Sequence, residues 1–253
     1  MTFQLYRNDP RDPPRRPISF DDLDNKAFWC RHGERQELAF VNVMRKIESP
    51  YTVQIHPEKE RNPYHPDLLC VDERTGRAVV GEVKIKNSPL FYASKKYSVP
   101  SQYALTMDLK DSFNYEWHLR RGTDILIFIW VNWEAHEMET RRNLYRVNRM
   151  KGVWSVPFSR LRRFERETPP PIHWYKERFR QPPATDSAEH WSQMLSDFDG
   201  RLVQGDGRVK NISSNGFIER DGRMLPAGHS SCSYVFNLKD STLFDELIFW
   251  ESR

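Results

Sequence analysis

The 253-residue chain has few cysteines, three in all. Cys30, Cys70 and Cys232 lie far apart with no paired spacing, which excludes a disulfide framework and a four-thiolate zinc site. A reducing compartment is the simplest setting. Long apolar runs are also missing: the longest, Ile125 to Val131, is far short of the roughly 20 residues a spanning helix needs. The polar, Pro- and Arg-rich N-terminus does not read as a secretory signal, so a cytoplasmic chain with no membrane partner is expected. No internal repeat is visible, and none of the eight histidines is paired at helical i, i+4 spacing, which excludes a helix-borne histidine metal motif. Apolar residues make up 38 %, against a usual figure of about 45–50 %. Aromatic residues, at 13 %, still argue for a packed core over disorder.

What the chain does carry is charge, unevenly placed. The net charge is only +4, but residues 140–180 hold 12 Lys/Arg against 3 Asp/Glu, whereas 185–253 hold 7 against 11. A concentrated basic patch is an electrostatic footprint for a polyanion. Arg141, Arg142, Arg146, Arg149, Arg160, Arg162 and Arg163 are interleaved with Tyr145, Trp154, Phe158 and Phe164. Cations that hold phosphates thus alternate with rings that stack on bases or simply pack. The plain alternative is a solvated basic face.

Pro10, Pro13, Pro14 and Pro17 make residues 1–20 an extended arm. Apolar residues at helical spacing predict an amphipathic helix from Gly33 to Ile47, with Glu34 and Glu37 near its positive end. Strands are expected at Tyr51–His56, Asp67–Asp72 and Ala78–Lys86, the last two joined by the turn Glu73–Gly76. A helix over about 100–121, closed by Gly122, a buried strand from Asp124 to Val131 and an edge strand at Val153–Pro157 follow. The order helix, strand, strand, strand, helix, strand predicts an α/β fold over about 21–166, a central mixed β-sheet flanked by helices. A Pro-rich linker at 167–187 then leads to a C-terminal accessory segment, 188–253, with a short helix, a few short strands and an apolar end from Leu243 to Trp250.

The informative stretch runs from His65 to Lys84. If Asp72 pairs with Arg77 across a loop ending in Gly76, the antiparallel register keeps the sum of paired numbers constant and sets Asp67 opposite Glu82. Opposed side chains have Cβ atoms about 4.5–5.5 Å apart, and two carboxylates that close repel unless a proton or cation lies between them. A hard divalent cation suits all-oxygen ligands. Alternation puts Glu82, Lys84 and Lys86 on one face of the strand, so an ammonium stands beside the acid pair. Such a group holds or deprotonates a water and offsets charge on a phosphate oxygen. A further acid comes from the preceding helix, with Glu37 preferred over Glu34. Taken singly, a Glu-x-Lys on a strand is an ordinary solvated pair and a Pro-Asp an ordinary turn.

Pro66-Asp67, followed fifteen residues later by Glu82-Val83-Lys84 within that element order, resembles the signature of the PD-(D/E)XK nuclease superfamily, the restriction-endonuclease-like fold. The likeness covers roughly residues 33–131. It implies that Asp67 and Glu82 hold Mg²⁺, with Mn²⁺ able to substitute, that the Val83 backbone carbonyl is a further ligand, that Lys84 positions the attacking water and that Glu37 is the helix acid. It further implies hydrolysis of DNA, less often RNA, and a homodimer or partner subunit. Some exonuclease-type members carry a Gln with a Tyr four residues on in the next helix; here Gln102 is followed at once by Tyr103, which departs from that pattern. Gln102, Lys86, Lys95 and Lys96 are the expected nucleic-acid contacts nearest the site, and His65 lies at its mouth. The rival readings are an inactive module of the same fold that binds DNA, and an interaction protein of a nucleoprotein complex such as a transposition or phage-packaging component.

Overall fold

The computed structural model describes residues 3–8, 16–18, 26–62, 65–174, 201–203, 209–213, 217–220, 223–226 and 232–250. Pro182 and Pro183 of the expected linker, and the short helix expected after residue 188, lie outside them. In chain order the elements are β1 (Phe3–Asn8), β2 (Arg16–Ile18), α1 (Lys26–Met44), β3 (Tyr51–Ile55), β4 (Leu68–Asp72), β5 (Arg77–Lys86), α2 (Ala93–Tyr97), β6 (Ala104–Asp108), α3 (Leu109–Arg120), β7 (Leu126–Trp133), β8 (Ala135–Thr140), β9 (Leu144–Val147) and β10 (Met150–Pro157). They continue with α4 (Phe158–Glu167), β11 (Ile172–Trp174), β12 (Arg201–Val203), β13 (Val209–Ser213), β14 (Phe217–Arg220), β15 (Arg223–Pro226), β16 (Cys232–Asn237) and β17 (Asp245–Trp250). No helix among the described residues is long and apolar enough to cross a membrane.

The chain divides into two compact units. Met1–Ala104, Ile125–Pro157 and Asn237–Arg253 form one, and Leu105–Asp124 with Phe158–Phe236 the other. The first is built on a six-stranded sheet in the order β17-β10-β7-β5-β4-β3. Only the β5–β7 pair is parallel, so the sheet is mixed, as the element order predicts. Its central strand β7 is buried from Leu126 through Val131, as expected of an unbroken apolar run. Phe40, Val41 and Met44 of α1 pack on one face of the sheet with Val53, Leu68, Cys70, Val83 and Phe128. Phe40 is fully buried, its ring 5.4 Å from that of Phe128 and 5.9 Å from that of Trp130. Cys70 belongs to this core, where burial pushes its thiol up to about 12 and leaves it unreactive at neutral pH. A four-stranded sheet, β2-β1-β8-β9, completes this unit. The second unit holds α3, α4, the sheet β11-β16-β6 and the meander β12-β13-β14-β15.

Four expectations are corrected. Helix α1 starts at Lys26, not Gly33, so Glu34 and Glu37 stand in mid-helix and the first-turn dipole explanation for their placement fails. The helix expected over 100–121 is a strand followed by a helix: Ala104, Leu105 and Met107 are buried in β6, and α3 begins only at Leu109. Strand Val153–Pro157 is not an edge, because Asp245–Trp250 pairs outside it as β17. The stretch 188–253 is therefore not an accessory apart, since its last strand completes the central sheet. The N-terminal arm contributes β1, paired with β8 from Phe3 opposite Thr140 to Asn8 opposite Ala135, and the hairpin partner β2. Pro17 is tolerated there because, among the described residues, β2 is the edge strand of its sheet.

The β4–β5 hairpin sets the geometry that matters. Gly76 closes its turn at φ +67°, a left-handed conformation that favours glycine, and its N–H donates to the Asp72 carbonyl at 2.7 Å. Gly81 is needed for space: a Cβ there would lie 2.7 Å from Cys70 Sγ and 3.2 Å from Leu68 Cβ. Gly81→Ala is expected to cost about 1–3 kcal/mol by overpacking. Urea denaturation should show that loss, and Cys70→Ala in the same chain should recover part of it.

Candidate functional site

The ladder between β4 and β5 pairs Asp72 with Arg77 and ends with Leu68 opposite Gly81. One step further the same register brings Asp67 to Glu82. The Asp67 N–H donates to Glu82 Oε2 at 3.3 Å, and the Val83 N–H donates to Asp67 Oδ2 at 3.4 Å. Strand β5 outruns β4 here while staying paired to β7 as far as Lys86 opposite Val131. The stretch Glu82–Lys86 is therefore rigidly held on one side and has left β4 on the other. Leu68, Cys70 and Val83 turn toward α1, so alternation sends Glu82 and Lys84 to the other face of β5, while Asp67, one residue before β4, keeps its carboxylate at the end of the hairpin, against the Val83 N–H. Lys84 Nζ lies 3.0 Å from Glu82 Oε1.

Glu37 precedes Phe40, Val41 and Met44 by three, four and seven residues, which places it one turn up the face of α1 that looks at the sheet. It reaches the pair through a residue the sequence reading missed. Lys59, in the 3-10 helix Pro57–Glu60, lies 2.5 Å from Glu37 Oε2 and also donates to Asp67 Oδ1. The side chains of Glu37, Asp67, Glu82, Lys59 and Lys84 are only 13–21 % exposed. Nothing in the local sequence His56-Pro-Glu-Lys-Glu-Arg61 separates this lysine from a solvated charged turn. What selects it is the fold, which returns the chain from β3 to β4 over the end of the hairpin.

Burial, then Glu82 and Glu37, push the Asp67 carboxyl up to about 7 even with the Lys59 ammonium beside it. Burial works against the Lys59 charge, but Asp67 and Glu37 outweigh it and hold the ammonium above its ordinary value. Three carboxylates thus share two ammonium groups. Among the described residues no group of three or more His, Cys, Asp or Glu closes around a single point as a cage for a metal, and Lys59 bridges Glu37 and Asp67 instead. The donor set is nevertheless all oxygen and short of positive charge, which fits a hard divalent cation in kind. The Val83 group that engages Asp67 is its N–H. His65 stacks on His56 at a centroid distance of 3.9 Å, and its Nδ1 is 3.0 Å from the Pro66 carbonyl.

The expected nucleic-acid contacts fare unequally. Lys86 stands two residues along β5 from Lys84, on the same face. Lys95 and Lys96 are exposed on α2, and Arg141 and Arg142 at the turn between β8 and β9. Arg163 is exposed on α4, whereas Arg160 is half-buried. Gln102 sits half-buried in the turn before β6, not on a helix. Arg146 pairs with Glu137 at 2.8 Å, and Arg149 shares Glu134 with Lys151.

Arg162 is contradicted as a phosphate contact. Its guanidinium is 11 % exposed and donates to Glu116 at 3.0 Å and to Glu165 at 2.9 Å. Arg120 and Arg166 also donate to Glu116, and Ser112 Oγ to Glu165. Comparison with protein-family models, curated proteins and solved structures finds no match to this chain.

Two outcomes follow. The Asp67 carboxyl binds its proton more tightly in the folded chain than in the unfolded one, so stability falls as pH rises from about 4 to about 7. Asp67→Asn should flatten that slope in urea midpoints measured across the range and raise stability at pH 8. Arg162→Ala strands Glu165 without its cation and should cost about 3–5 kcal/mol, whereas Arg142→Ala should stay within about 0.5 kcal/mol of wild type in the same assay.

Proposed function

We propose that the chain is a Mg²⁺-dependent nuclease with a restriction-endonuclease-like core that hydrolyses phosphodiester bonds in DNA. The observation that carries this reading is the meeting of Asp67 and Glu82 one step past the β4–β5 ladder, with Lys84 beside Glu82 and Glu37 of α1 joined to Asp67 through Lys59. Asp67, Glu82 and Glu37 are the residues that would hold the cation. Bound there, it supplies Lewis acidity toward the phosphate and a lowered pKa for water. Lys84, fixed on a central strand, orients the attacking water and offsets charge growing on the phosphoryl oxygen. Water is the nucleophile, so no covalent enzyme intermediate forms. Lys95, Lys96, Arg141 and Arg142 supply exposed charge for the phosphate backbone, with half-buried Lys86 beside Lys84 on β5, and that binding weakens steeply with salt. Mn²⁺ substitutes for Mg²⁺, and a homodimer would pair two sites for double-strand cutting.

A second reading, an inactive module of the same fold that binds DNA, is favoured by one feature: Lys59 occupies the position between Glu37 and Asp67. The test is cleavage of supercoiled, linear and single-stranded DNA at low salt with Mg²⁺, Mn²⁺ or EDTA. Wild type should cut only with metal, and Asp67→Ala and Lys84→Ala should each lose on the order of 10²-fold or more. Salt-sensitive binding by wild type without cutting would transfer the assignment to the inactive module.

A further inference from the structure

We infer that Lys59 is a positioning residue that keeps the cation's place: its ammonium holds Glu37 and Asp67 together in the metal-free protein and surrenders both carboxylates when a divalent cation binds. This rests on the nuclease reading of the same site and adds to it a residue outside the three motif elements, with a defined exchange.

The geometry separates the two lysines. Lys84 rises from a strand paired to β7 and contacts Glu82, two residues away on that same strand, at 3.0 Å. Lys59 spans two carboxylates from different elements, Glu37 on α1 and Asp67 at the start of β4, which is how a bridging cation would join them. Its backbone is anchored: the Lys59 N–H donates to the His56 carbonyl at 3.1 Å, and the Glu58 N–H to His56 Nδ1 at 3.1 Å. Only the flexible four-carbon stem has to move for the ammonium to leave. The side chain is 21 % exposed, so it already has a route to solvent.

The charge count favours the exchange. When Glu37, Asp67 and Glu82 are all ionised, Lys59 and Lys84 leave one negative charge unbalanced, which a proton shared into the cluster offsets while no metal is bound. A dication in place of the ammonium balances the three carboxylates together with Lys84 and releases Lys59 to face the incoming phosphate. Metal entry and the Lys59 contact then compete for the same oxygens, and each must weaken the other to the same degree.

The experiment is a Mn²⁺ titration of the full chain at neutral pH, by calorimetry and by the paramagnetic resonance of free Mn²⁺, on wild type, Lys59→Met and Lys59→Arg. Melting temperatures are recorded with and without Mn²⁺. Lys59→Met should bind Mn²⁺ about tenfold more tightly than wild type, melt lower without metal and gain more from it. Lys59→Arg, which keeps the charge, should bind no more tightly than wild type. If Lys59→Met fails to fold by circular dichroism, Lys59→Gln is read in its place. Wild-type binding that Lys59→Met leaves unchanged or weakens overturns the inference and leaves the nuclease reading standing. No Mn²⁺ binding by any of the proteins at millimolar concentration overturns both.

Discussion

Two carboxylates cannot be fixed opposite each other one step past the end of a hairpin ladder, with a third brought near from a helix, unless a proton or other positive charge is brought in. That constraint organises the first unit of this chain. The Asp67 N–H and one carboxylate oxygen of Glu82, and the Val83 N–H and one oxygen of Asp67, bind the acids to backbone groups that cannot retreat. Lys84 answers the charge from the strand itself, and Lys59 answers it from the connection between β3 and β4. Even so Asp67 stays up near 7, because burial disfavours its charged form and Glu82 and Glu37 add to that. A protein under selection for stability alone would have little reason to hold such a cluster in a largely dry place.

The scaffold beneath it is conventional in its physics. Gly81 lets β4 and β5 approach closely where the core residues Leu68 and Cys70 press on the hairpin, and the next residue is Glu82. Tight packing on one face therefore fixes the position of the acid on the other. Helix α1 uses one stripe for both purposes, with Phe40, Val41 and Met44 buried against the sheet and Glu37 a turn further along. Displacing the helix to move the acid would open the core, so its position comes at no separate structural cost.

The hairpin was legible in the sequence because its register needs only a turn and a constant sum, and Asp72 opposite Arg77 does hold. The buried strand at 126–131 was legible because six apolar residues in a row leave no polar face. Strand β6 was not: Tyr103, Leu105, Met107 and Leu109 fit alternation as well as helix, and its partner β16 is more than a hundred residues away. Strand β17 escaped for the same reason, since its partner β10 lies across the proline-rich stretch. Lys59 could not be found by pattern, because a lysine in a charged turn has no periodicity and owes its role to where the turn lands.

Arg162 shows the converse limit. A run of arginines reads as a surface for phosphates, yet the helical spacing that exposes Arg163 turns Arg162 inward to Glu116 and Glu165. Burial keeps Glu165 above the ordinary carboxylate range despite that contact, while three arginines hold Glu116 below it. The same residue type, one position apart, thus does two kinds of work, and the basic charge left for a polyanion is smaller than a count suggests. On the nuclease reading, sequence specificity would have to come from groups other than this basic run, since phosphate contacts set register and do not read sequence.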